Sequence, residues 1–200
     1  MTTDRFFTRA DGHYHFARWG RPIVPIVFGV DDATLAVVKG AIEAVVALAG
    51  HTMAETDPEQ GANLFMFFFR DWDEVLAVPD LDRLVGGLTP AIDRLKARDA
   101  NQYRAFRFDA DGAIRAAFVF VRLDDAMRAL PAADLALLQA VQVILLWGDT
   151  AFRDAPPLAR AHGVAVLRPD VAALIRAAYD PVMPAVAGDA SHALRLAARL

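Results

Sequence analysis

Cysteine is missing from this chain of 200 residues, serine occurs once and histidine five times. No disulfide and no cysteine-based zinc site is therefore available, although that absence leaves the compartment open. The lone serine, Ser191, sits beside His192. Adjacent helical residues point in different directions, and no G-x-S-x-G elbow surrounds the pair, which argues against a serine hydrolase. Nor is there a G-x-G-x-x-G or P-loop pattern, because Gly86-Gly87 has neither the lysine nor the strand–helix context. Excess positive charge is lacking too. The formal net charge is −4 and the pI about 5.7, so no overall basic field draws the chain to nucleic acid. Met1 to Phe16 has no apolar core of a secretory signal. The expectation is a cytoplasmic protein if the chain is complete, and an exported one if a leader was removed. Leu135 to Trp147 is apolar but well short of the roughly 20 residues that span a bilayer, so no membrane span is expected.

What is present points to one folded domain over residues 1–200, with 1–16 as an N-terminal arm. Apolar residues make up 56% of the chain and the mean hydropathy is +0.28, which excludes disorder. The most apolar stretch is Pro131 to Asp149, interrupted between Ala132 and Gly148 only by Asp134, Gln139, Gln142 and Gly148. A helix apolar nearly all round belongs inside a core. Pro131 suits its first position, and Asp134 lies where the helix dipole favours an anion. Gln139 and Gln142 are three apart and share a side. Two amides on a buried helix need partners, which marks that side as the place to look for a site.

Elsewhere the pattern alternates between strands and helices. Ile23 to Phe28 reads as a strand pushed toward an edge or bulge by Pro22 and Pro25. Asp31 or Asp32 caps a helix over 33–49, closed by Gly50. Leu64 to Phe69 is a continuous apolar strand. Asp71, Asp73 and Glu74 invite a metal reading, but acids at the start of a helix over 72–78 fit capping better. Residues 80–98 read as helix broken at Gly86-Gly87 and restarted by Thr89-Pro90. Tyr103–Phe108 and Ala113–Leu123 flank Asp109-Ala-Asp-Gly112, a hairpin signal. Arg104, Arg107, Arg115 and Arg122 on these strands read as solvated charges that deter edge pairing, or as a face for an acidic partner. Residues 150–166 read as a loop, followed by helices over 170–179 and 189–199. His13 and His15, two apart, make only a weak metal pair. The order gives an α+β fold: a mixed sheet of about four strands with a hairpin, packed by helices around a buried central helix.

Several short pieces carry a resemblance. They are Arg18-Trp19 leading through Pro22-Ile23 into the first strand, Ala62-Asn63 opening the apolar strand, and the central helix followed by Asp149 and Phe152. Asp170 with Leu174, Tyr179, Asp180 and Pro181 completes the set. From about residue 17 onward the chain resembles the zincin metallopeptidases, and more closely an uncharacterised bacterial family of zincin-like proteins of unknown function. The resemblance implies H-E-x-x-H on the central helix, two histidines holding zinc and a glutamate acting as general base. The register set by Asp149 puts Leu138-Gln139-Ala140-Val141-Gln142 at that place. Leucine has no lone pair, glutamine takes up no proton near neutral pH, and no histidine lies between His51 and His162.

These readings lead to a zincin-like pseudoenzyme that needs no metal and no cofactor. It would act as a non-catalytic binding or interaction module for a protein or peptide partner. Gln139, Gln142, Asp149 and Tyr179 are its candidate cleft residues, and no catalytic residue is named. The rival is a metal-independent hydrolase using carboxylates, with Asp149 or Asp134 near the cleft; paired acids converging in space remain open to it. A helix-packed homodimer is a third reading, drawn from the high apolar fraction.

Overall fold

The computed structural model describes residues 3–59 and 61–200. In chain order the first half holds β1 (Phe16–Ala17), β2 (Pro25–Phe28), α1 (Asp32–Leu48) and β3 (Leu64–Phe69), then α2 (Trp72–Leu76), α3 (Leu81–Val85) and α4 (Leu88–Ala97). The hairpin β4 (Gln102–Phe108) and β5 (Ile114–Arg122) follows, then α5 (Asp125–Arg128) and α6 (Ala132–Ile144). Last come β6 (Leu158–Ala161), β7 (Val164–Leu167), α7 (Pro169–Ala178), β8 (Val186–Ala187) and α8 (Ser191–Ala197). The protein is thus α+β.

Its main sheet is mixed and has four strands in the order β2-β3-β5-β4. β2, β3 and β5 run parallel, and β4 closes the β5 side antiparallel. Alternation sorts the side chains of the central strands into two cores. Leu64, Met66, Phe68, Ala117, Val119 and Val121 face the larger one, which holds α1, α6 and α7. Phe69, Ala116, Phe118 and Phe120 face the smaller one, covered by Trp72, Val85 and Ile92 of the short helices. A strand buried on both faces has to be apolar throughout, and β3 and β5 are. Asn63 locks the start of the parallel pair. Its Oδ1 accepts from the backbone N–H of Val24 at 2.8 Å, and its Nδ2 donates to the Pro22 carbonyl at 2.9 Å.

The acids at 71–74 cap a helix: Asp71 and Glu74 form a reciprocal capping box at the start of α2. Asp31 caps α1 through the N–H of Thr34 at 2.7 Å. Four local expectations need correction. The restart at Thr89-Pro90 is displaced, because α4 begins at Leu88 with Gly87 as its N-cap. Residues 150–166 are no plain loop, since β6 and β7 form a hairpin. Its turn, His162-Gly163, takes positive φ at both positions (+50° and +83°), the geometry of a tight two-residue hairpin. The first strand is shorter than 23–28, with Ile23 held instead in an isolated bridge to Met53. The apolar run at 131–149 is helical only to Ile144, and Leu145 is already extended (φ −137°, ψ 157°).

The N-terminal segment explains that early stop. Phe6, Phe7, Tyr14, Phe16 and Trp19 are all buried in the larger core. Ala17 accepts from the N–H of Leu146 at 2.9 Å, and Phe6 from that of Gly148 at 2.7 Å. The chain after α6 is therefore drawn into pairing with residues 6–18. The approach is close enough that a Cβ on Gly148 would lie 2.4 Å from the Thr8 carbonyl oxygen. On the far side of this segment, Tyr14 Oη lies 2.7 Å from Nδ1 of His192, whose Nε2 is buried without a partner among the described residues.

Two predictions follow from this seam. Burial, reinforced by the nearby Arg195, pushes the His192 imidazole down to about 4 from its ordinary 6.5. The unfolded chain then binds the proton more readily, so stability is full above about pH 6.5 and declines as the pH falls toward 4. At roughly 1.4 kcal/mol per unit the loss is at most about 3–4 kcal/mol. Urea midpoints measured from pH 7.5 to 4.5 should fall accordingly, and His192→Phe should flatten the decline. Gly148→Ala should destabilise by about 1–3 kcal/mol through overpacking against Thr8, read in the same denaturation assay.

Candidate functional site

Helix α6 ends inside the larger core, so the carbonyls of its last turn cannot turn to water. Three aromatic side chains meet them. Trp147 Nε1 donates to Val141 O at 2.8 Å, Trp19 Nε1 to Val143 O at 2.8 Å, and Tyr179 Oη to Ile144 O at 2.7 Å. The Tyr179 hydroxyl also accepts, at 3.4 Å, from the backbone N–H of Trp19. Burial pushes its phenol pKa up, and the hydroxyl stays protonated as a donor. Tyr179 is thus a cap for α6. It is not among the residues that line the cleft described next, which separates it from the other candidates.

That cleft has a volume of about 1250 Å³ and lies over the C-terminal end of α6. Gln142, Leu146, Trp147 and Gly148 form its floor, the run Tyr103–Phe108 of β4 one wall, and Arg9, Asp11 and His13 to His15 the other. Six consecutive strand residues line one wall because β4 is the outer strand of the sheet, so both of its faces and its free edge meet the opening. The N–H of Arg122 donates to Asn101 O at 2.8 Å. By antiparallel alternation, the backbone groups of Gln102, Arg104 and Phe106 then point away from β5.

The two glutamines of α6 part company here. Gln139 is fully buried and ties the helix to β4: its Nε2 donates to Gln102 Oε1 at 2.9 Å, and its Oε1 accepts from Arg104 Nη2 at 2.6 Å. Gln142 is half-buried, lines the cleft and has no hydrogen-bond partner among the described residues. Leu138 does not reach the lining. Asp149 does, and is held by the N–H of Ala10 at 2.7 Å and by Arg9 at 3.7 Å. Asp134 is elsewhere, paired with Arg160 of β6 at 2.7 Å. His13 and His15 both line the cleft, but among the described residues no three His, Asp or Glu converge as a metal-holding group.

The strand arginines depart from the reading of solvated edge charges. Arg115 pairs with Glu59 at 2.9 Å, and Arg122 with Asp99 at 2.6 Å. Arg104 is enclosed between β4 and α6, and burial pulls its guanidinium down to about 10. The signal was in the alternation: Arg104 shares a strand face with Phe106, which packs on the larger core. Charge in the cleft is unbalanced, with Arg9, Arg104, Arg107 and Arg153 set against Asp11 and Asp149.

No family model, no curated protein and no solved structure matches this chain. Among the described residues no helix is long and apolar enough to cross a membrane.

Truncation separates the roles of the glutamines. Gln139→Ala removes both bonds from α6 to β4, leaving Arg104 and Gln102 only each other, and should cost about 1–3 kcal/mol, as should Tyr179→Phe at the helix end. Gln142→Ala removes no bond and should change stability by less than about 0.5 kcal/mol. Chemical denaturation of the three variants checks this ordering.

Proposed function

We propose that the chain is a non-catalytic binding module of zincin-like layout, whose cleft takes an extended peptide or protein segment. One observation carries this reading: a large cleft runs along the free edge of β4 and over the C-terminal end of α6, with Gln142 on its floor. A free strand edge offers N–H and C=O groups in the spacing of another strand, and peptides dock on such edges by main-chain pairing. The half-buried Trp147 on the floor and the free amide of Gln142 supply an apolar anchor and a polar one.

The residues present do not fit zinc. A catalytic site needs three side-chain donors with an open position. Leu138 offers none, the Gln139 oxygen already accepts from Arg104, and Gln142 is a single neutral amide. The carboxylate rival has less support: of the two acids lining the cleft, Asp149 is engaged by Arg9 and Ala10 and Asp11 by His13, while Asp134 lies elsewhere, tied to Arg160.

Titration tests the reading from two sides. Zinc followed by calorimetry should give no stoichiometric binding, and peptide mixtures should survive incubation uncut. A library of extended peptides should contain members that shift the Trp147 indole resonance and lose affinity when Phe106→Pro disturbs the edge. Tight zinc on α6 together with peptide cleavage would overturn the proposal.

A further inference from the structure

The geometry points to a carboxylate as the group this cleft recognises, seated on Arg104, so that the preferred occupant is an acidic extended peptide. This rests on the binding-module reading above and names its ligand chemistry. Arg104 is a cation walled in by neutral partners. Its Nη2 donates to Gln102 Oε1 at 2.7 Å and to Gln139 Oε1 at 2.6 Å, and its Nε is buried with no partner among the described residues. Nη1 donates no hydrogen bond to any described residue, yet it is not shut away from solvent as Nε is. No carboxylate lies within ion-pair distance among the described residues.

A guanidinium removed from water without a counter-charge is unfavourable, and proteins commonly pair such a group or leave it for a ligand. The other strand arginines show the usual solution. Arg115 and Arg122, on the neighbouring strand, each have an acidic partner. Arg104 instead has two glutamines that fix its position through their oxygens while leaving its charge unanswered. A carboxylate matches the single charge of the guanidinium and can accept from Nη1, the donor group left open. Nearby, Arg107 and Arg153 also line the opening and have no ion-pair partner among the described residues, so the field around the seat stays positive. The two acids present do not compete for it, since Asp149 is held by Arg9 and Asp11 by His13. Arg104 is one of the residues whose backbone groups face the free edge of β4, so a peptide paired there passes its guanidinium.

The test compares peptides of one length that differ only in Asp/Glu against Asn/Gln, titrated into the full chain by calorimetry. Acidic peptides should bind at least tenfold more tightly, and the difference should shrink as salt rises from 50 to about 500 mM. Arg104→Met should remove that difference, bringing the acidic and amide peptides to one affinity. Arg104→Lys should restore part of the preference. Equal affinity for acidic and amide peptides would overturn the carboxylate seat while the binding module stands. No binding of either series would overturn both. Acetate or inorganic phosphate binding as tightly as the acidic peptide would show a small-anion site and overturn the peptide ligand.

Discussion

The end of helix α6 is buried, and a buried helix end has carbonyl groups that must be met by something other than water. Trp19, Trp147 and Tyr179 meet them, from three separate parts of the chain. Much of the architecture follows from that need. Trp19 holds the N-terminal segment against the helix, Tyr179 holds the end of α7, and Trp147 turns the chain after α6 back on itself. With those donors in place the helix stops at Ile144, and Leu145 and Leu146 are free to pair with Arg18 and Ala17. The same turn leaves an opening above the helix end, and that opening is the cleft.

A second polar connection defines the wall. Gln139 reaches from α6 to Gln102 and Arg104, fixing the outer strand at a set distance from the helix. Because the connection runs through amide oxygens, it orders the guanidinium without neutralising it. A structural tie and a binding group are thereby combined in one side chain. Stability and recognition pull in opposite directions at Arg104, as they do wherever a protein keeps a charge ready for a ligand.

Much of the fold was legible along the chain because its signals are local. The apolar runs at 64–69 and 114–122, the Asp-Gly turn between the hairpin strands and the caps at Asp31 and Asp71 each act within a few residues. Where reading failed, the cause was non-local or conformational. Residues 131–149 look like one continuous helix because apolar character says nothing of where N-terminal strands will compete for the backbone. The hairpin at 158–167 was masked by a turn, His-Gly, in which a histidine adopts positive φ. Tyr179, named as a cleft candidate, instead caps the Ile144 carbonyl outside the lining, a role that depends on where α7 packs against α6.

Sequence by itself determined the α+β class, the four-strand pattern, the burial of α6 and the absence of metal-ligand side chains from Leu138, Gln139 and Gln142, because these depend on residue type and period. Only the tertiary structure decided that Gln139 is enclosed while Gln142 is open, that Arg104 lies without a counter-charge among the described residues, and that Arg9, Asp11 and His13 to His15 form a wall. Those are facts of distance between segments far apart in the chain, and each is settled by how the sheet, the helix and the N-terminal segment pack together.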